Sequence, residues 1–324
     1  GRAYRRPVTG DELDRLCGLV MTAVKEGEGF ERGIQWALQA ILVSPHFLFR
    51  WELDPGSMAP GEIRDLSDWE LASRLSYFLW GSMPDEALFG AAAGGELRKA
   101  EGLEAQVRRM LKDPKARELV RQFGGQWLQV RNLDEVEPDR TVFPGWSPAL
   151  RDAMREEAEL FLWAMVQEDR SVRDLLDADF TYLNELLARH YGVEGVAGPE
   201  FRRVKLPSGS GRGGILTLGS VLTVTSVPTR TAPVLRGKWI LEQVLGTPPP
   251  PPPPNVPPIE EGAEAEKTAT LRQRLELHRS KPDCMVCHEK MDPLGFALEN
   301  FDGIGGWREK DGPHAVDTSA ELPE

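Results

Sequence analysis

Four helix starts are written into this chain at the level of single residues. Thr9-Gly10-Asp11-Glu12 and Ser67-Asp68-Trp69-Glu70 each set a hydroxyl three residues before a glutamate, so that each side chain caps the other's backbone N–H. Asp113-Pro114 and Ser147-Pro148 each set a capping side chain before a proline, which suits the first helical turn. The apolar spacing that follows agrees. Leu13, Leu16, Val20 and Val24 repeat at helical intervals until Gly27 and Gly29 break the pattern. A second helix is expected from about Glu31 to Val43, ending before Ser44-Pro45. Others are expected over Leu71 to Trp80, from Ser147 through about Gln167, and from about Leu183 to Tyr191, stopped by Gly192. Strand alternation is absent apart from a short candidate near Phe201 to Leu206. The expected class is all-α.

The organisation follows from breaks in this pattern. Residues 1–60 read as an N-terminal helical pair and 62–195 as a helical domain. The Gly/Ser-rich stretch Ser208 to Gly214 marks the next boundary. Residues 208–308 then hold apolar material from Ile215 to Val224, a polar turn over Thr225 to Thr231 and a helix from about Pro233 to Leu245. Pro248 to Pro254 is an unbroken proline run, expected as a polyproline II strap of roughly 22 Å at ~3.1 Å per residue. An acidic run, Glu260 to Glu266, leads into a helix from about Thr268 to His278. Residues 309–324 read as the start of a truncated domain. Gly1 in place of Met likewise reads as a piece of a longer parent chain, the rest of which is an expected partner.

Composition excludes some functions. With 40% hydrophobic and 28% charged residues the chain is globular rather than disordered. A net charge of −12 repels phosphate backbones, so no nucleic-acid partner is expected. No stretch approaches the ~18 apolar residues of a membrane span. The three cysteines, Cys17, Cys284 and Cys287, are too few for a disulfide-built domain. Cys17 sits among Leu13, Leu16 and Val20 and is expected to be a buried thiol.

The motif that carries chemistry is Cys284-Met285-Val286-Cys287-His288, a C-x-x-C-H run. Two thiols three residues apart on one helical turn suit addition to the two vinyl groups along a haem edge. The next residue then sets an imidazole on the iron as proximal ligand. One covalent haem c is therefore expected, with Cys284, Cys287 and His288 as its anchors. A structural zinc site would need four ligands and lacks a second cysteine pair, although His278 and His288 would contribute. A thioredoxin-like pair would follow a strand, and the surroundings here are helical. A chance match is the bland alternative. For the distal position His278, ten residues before His288, is the first candidate. A helix-terminal histidine is the plainer reading of it. Open iron, a remote methionine, His46, His190 and His314 remain. Met291-Asp292-Pro293-Leu294-Gly295 reads as a turn, with Phe296, Leu298 and Phe301 suited to covering a haem face. Arg279, Trp307 and Arg308 are candidates for the propionates.

Other motifs fail. Gly209, Gly211 and Gly214 fit G-x-G-x-x-G but lack the preceding strand and following acid. There is no G-x-S-x-G elbow. Glu156-Glu157 is one acid pair among many in an acidic chain.

The chain resembles a family of large exported proteins, common in planctomycetes, made of consecutive domains of unknown function that end around a cytochrome-c motif. The residues that carry the resemblance are Arg2 to Thr9, Leu71 to Trp80, Arg212 to Leu216 and Pro228 to Trp239 with the proline run. Last comes the block from His278 and Arg279 through Cys284, Cys287 and His288 to Asp292-Pro293-Leu294-Gly295-Phe296 and Asp302. Ala232 departs from the serine expected there. The resemblance implies haem binding and electron transfer with an unidentified redox partner, in the periplasm or another exported space. A haem-dependent oxidoreductase with an open sixth position is one alternative. A surface or scaffold protein with structural haem or zinc is another. Whether the chain is an enzyme stays open at this level.

Overall fold

Glu12 N–H donates to the Thr9 hydroxyl at 3.3 Å while Thr9 N–H donates to the Glu12 carboxylate at 2.9 Å, and α1 (Gly10–Lys25) starts there. The reciprocal pair recurs at Ser67 and Glu70, opening α4 (Asp68–Trp80). These contacts come from a computed structural model that describes residues 1–52, 54, 58–59, 61–251, 270–279 and 282–321. The described chain is mostly helical and forms two units, residues 1–119 and 120–324. Among the described residues no helix is long and apolar enough to cross a membrane.

In the first unit α1 pairs with α2 (Phe30–Leu42), whose Gly33 lies against the other helix so closely that a Cβ there would stand 2.8 Å from Val20 O. The short α3 (Pro45–Leu48) begins at the Ser44 cap. Then come α4, α5 (Glu86–Ala93) with its Asp85 cap, α6 (Ala100–Leu111) and α7 (Arg117–Leu119). Asp113-Pro114 opens a 3-10 turn rather than an α-helix. Buried Asp68 ties α4 to the loop between α5 and α6, accepting from Leu97 N–H at 2.8 Å and from Arg98 Nε at 2.8 Å. Trp80 Nε1 donates to Met110 O at 3.0 Å and so joins α4 to α6.

The second unit is built round α9 (Pro148–Gln167), which starts at Ser147 where the sequence puts it. Before it lies a π-helical turn over Val120–Gly124 leading into α8 (Gly125–Trp127). After it come α10 (Asp174–Asp177), β1 (Phe180–Leu183), α11 (Glu185–Tyr191) and β2 (Arg202–Lys205). The two strands pair antiparallel with Phe180 opposite Lys205. Next are α12 (Gly219–Val224) and α13 (Pro233–Trp239), the latter running on as a π-helical turn through Ile240–Val244. Then come α14 (Leu271–Arg279), α15 (Pro282–Phe296) and a hairpin of β3 (Lys310–Asp311) and β4 (His314–Ala315). One core of Leu150, Met154, Phe161, Leu187, Val221 and Trp239, among others, joins α9 to α11, α12 and α13.

Three expectations are corrected. The chain is mostly helical rather than all-α, because β1 forms where the sequence suggested the approach to a helix at Leu183. Leu183 is the fully buried end of that strand, and α11 starts two residues later behind an Asn184 cap. Cys17 is exposed, since the buried positions of α1 and α2 are Ala23 and Gly33, on a seam that leaves Leu13 half exposed. The expected turn at 291–295 is helix, with Pro293 inside α15. Residues 252–254 of the proline run, the acidic run 260–266 and the expected helix start at 268 lie outside the described residues.

Candidate functional site

The helix α15 carries positions 284, 287 and 288, which stand at i, i+3 and i+4 and therefore share one helical face. Cys284 and Cys287 stand on the backbone of α15, and His278 and Arg279 on that of α14. His288 is described in full. Its Nδ1 lies 2.9 Å from Oδ1 of Asp292, one turn further on and fully buried. A carboxylate only accepts, so Nδ1 carries the proton in this contact. A ligating histidine is typically oriented by such a partner.

The helix is fixed by close backbone packing. A Cβ at Gly237 would stand 1.8 Å from Met291 O, and one at Gly295 would stand 1.9 Å from Pro233 O. Only glycine at both positions lets α13 and α15 touch. Phe296 at the end of α15 is buried with Leu271 and Leu275 of α14, and the Arg272 guanidinium sits 4.4 Å from its ring centre.

Behind this seam lies a charged knot that the sequence did not disclose. Arg236 on α13 is 1% exposed and donates to three carbonyls of the turn after α15: Leu298 O (2.8 Å), Phe301 O (2.8 Å) and Asp302 O (2.7 Å). It also pairs with Glu299 at 3.2 Å. Burial pushes its guanidinium down to about 10, so it stays charged at neutral pH. Glu299 is held from the other side by Arg308 at 2.9 Å and accepts from the Thr231 hydroxyl at 2.7 Å. Arg308 also donates to Asp311 at 2.7 Å, so the suggested propionate partner is engaged within the protein. Trp307 is 46% exposed, edge-on to Phe301 at 5.3 Å and pressed against Gly211.

A second buried polar centre surrounds Glu157 on α9. Its carboxylate accepts from the Thr181 hydroxyl of β1 at 2.7 Å and from Tyr191 OH of α11 at 2.6 Å. The Tyr191 oxygen in turn accepts from Gly219 N–H at 2.7 Å. Burial raises the Glu157 carboxyl to about 7, with the two hydroxyls pulling the other way. Arg212 lies 3.6 Å from the Tyr191 ring centre and 4.8 Å from that of Phe301. It donates to Thr217 O at 2.9 Å and to Gly305 O. His190, one of the histidines with no local argument in the sequence, has Nε2 2.7 Å from Ile304 O, and burial lowers its basicity. Residues 301–306 are thus gripped by Arg236 on one side and by Arg212 and His190 on the other. A signal for Glu157 existed: Leu150, Met154, Glu157 and Phe161 follow helical spacing, with the glutamate on the apolar face.

Residues 1–52 match a family described as a protein of unknown function (DUF1595, PSD5). Residues 66–193 match a second such family (DUF1592, PSD4), and residues 212–311 a third (DUF1588, PSCyt3). The chain belongs to the planctomycete-type proteins built from these serial domains. No curated protein and no solved structure matches it. In this serial-domain protein the third match contains the whole Arg236–Glu299–Arg308 knot and the C-x-x-C-H run. The second match supplies Glu157 and Tyr191, which reach Gly219 of the third through one hydroxyl. Among the described residues no group of three or more histidines, cysteines and acids gathers as a metal site.

Proposed function

We propose that this chain binds one c-type haem and acts as a one-electron carrier in the periplasm or another exported space. Cys284 and Cys287 would hold the group through thioether bonds and His288 would be its proximal ligand. The observation that carries the reading is the C-x-x-C-H run on one helix, with the His288 tautomer fixed by Asp292 at 2.9 Å. The donor set fits the group, since two cysteines at i and i+3 and a histidine at i+4 occupy positions on one face of α15. The name of the third family, PSCyt3, hints at a cytochrome-type role and supports the same reading.

Bound haem supplies an iron centre that changes oxidation state by one electron. The chain's own residues do the rest. Asp292 holds the imidazole in one orientation and raises its basicity as a ligand. The Gly237 and Gly295 contacts keep α15 from shifting, and Arg236 fixes the turn that follows it. His278, Arg279 and Trp307 remain candidates for the distal side and the propionates.

The test is a pyridine haemochrome spectrum of export-matured protein after acid–acetone extraction, beside a Cys284→Ala/Cys287→Ala control. Haem should stay with the wild type and leave the control. Export-matured wild type without haem would overturn the proposal. Given haem, Asp292→Asn should raise the reduction potential, because a weaker imidazole donor stabilises the oxidised iron less.

A further inference from the structure

We propose that the first unit carries a separate binding site, for a ring-bearing organic anion, in a pocket of about 490 Å³. Its walls combine aromatic faces with uncompensated positive charge. Tyr4, His46, Phe49, Trp51 and Trp69 supply the rings. Phe49 and Trp51 lie nearly parallel, 12° apart with centres 6.1 Å apart, and remain 55% and 48% exposed. Flat apolar faces of this size standing in solvent beside a concavity are what a ring-shaped ligand would cover.

The charge follows from pairing. Four arginines and two glutamates line the pocket, in a chain whose net charge is −12. Arg6 is matched by Glu12 at 2.7 Å, Arg74 by Glu52, and Glu70 is taken by Arg64 at 2.8 Å. Arg5 and Arg50 are left. Arg5 is buried and donates to His46 O and Phe49 O at 2.7 Å each, neutral acceptors that satisfy its N–H groups without cancelling its charge. Arg50 stacks over the Tyr77 ring at 4.8 Å and has no ion pair among the described residues. The residue is exposed. Two cations without an anionic partner among the described residues, beside aromatic walls, favour a ligand that brings a carboxylate or a similar group on a ring.

The fold builds this place deliberately. Arg5 adopts φ +56° at the end of the 3-10 turn Arg2–Tyr4, and that turns its side chain to the carbonyls at the end of α3. The chain leaving α3 then presents Phe49, Arg50 and Trp51 in succession, opposite Trp69 and Arg74 of α4. Residues from the first and the second family matches therefore share the walls. The site is independent of the C-x-x-C-H helix and stands or falls separately.

The shared ligand chemistry has two sources, aromatic carboxylates and acidic saccharides. Calorimetry and saturation-transfer NMR on the full chain would use benzoate and galacturonate as probes. Sulfate (an anion without a ring) and benzyl alcohol (a ring without a charge) serve as comparisons. At least one ring-bearing anion should bind more tightly than both comparisons, and which one binds names the source. Arg50→Gln, at an exposed side chain, should weaken binding by roughly tenfold or more at unchanged melting temperature. Trp51→Ala should remove the saturation transfer to ring protons. No binding of either probe, equal binding of sulfate or benzyl alcohol, or an Arg50→Gln chain with wild-type affinity would each overturn the proposal.

Discussion

The two buried polar centres of the second unit solve one problem in different ways. Around Arg236 the charge is cancelled by another charge: Glu299 sits between Arg236 and Arg308, and the spare N–H groups take carbonyls of the 298–302 turn. Around Glu157 two neutral hydroxyls satisfy the carboxylate, and Arg212 acts on it without a direct ion pair among the described residues. Burial disfavours the charged form of each group. It pushes the Glu157 carboxyl up to about 7 and the Arg236 guanidinium down to about 10, and Arg236 remains charged at neutral pH because an arginine starts from a much higher value. Arg236 therefore keeps its charge through the physiological range, whereas Glu157 has a proton to lose within it.

The largest effect should come from breaking the ionic centre. Arg236→Ala would leave Glu299 buried beside one remaining arginine and remove a donor from three carbonyls, two of which, Leu298 O and Asp302 O, keep a backbone N–H. Urea denaturation should show a loss of about 3–5 kcal/mol, the usual cost of orphaning one partner of a buried pair. A loss under about 1 kcal/mol would mean the turn relaxes enough to hydrate, and the contrast between the two centres would fail.

The second test concerns the proton on Glu157. Its folded value lies above the 4.5 of an ordinary glutamate. The folded state therefore holds the proton after the unfolded state has lost it. Stability contributed by this group is present below about pH 4.5 and is lost as pH rises towards about 7. Relative to Glu157→Gln, the wild type should lose on the order of 3 kcal/mol between pH 4.5 and pH 8, read from paired denaturation curves. A pH-independent difference would show that hydroxyls compensate the carboxylate as well as arginine does.

The smallest effect is expected from Tyr191→Phe, which removes one donor to Glu157 and the acceptor for Gly219 N–H. About 1–3 kcal/mol should be lost at pH 8, where Glu157 is ionised, and less at pH 5. Equal losses at both values would separate the tyrosine from the carboxylate's charge.

Much of this protein was legible in short stretches of sequence. Thr9 with Glu12, Ser67 with Glu70 and Ser147 before Pro148 start helices where they stand, because capping is an interaction across three residues. The C-x-x-C-H run stands out for the same reason, and its helical setting follows from its neighbours. Where partners are distant, the local signal misled or was silent. Asp292-Pro293 reads as a turn, yet it is buried helix because α13 lies against α15 through Gly237 and Gly295. Cys17 has apolar neighbours at helical spacing, yet the packed seam runs through Ala23 and Gly33 instead.

The sequence alone determined the helix starts, the mostly helical class and the positions of Cys284, Cys287 and His288, since each rests on residues a few places apart. Only the tertiary structure decided which charges are buried. Arg236 meets Glu299 across 63 residues and Glu157 meets Tyr191 across 34. A charged side chain carries no mark of burial in its own neighbourhood. Its partners are chosen by packing of whole elements, and their pairing sets both the cost of burying it and the state of its proton.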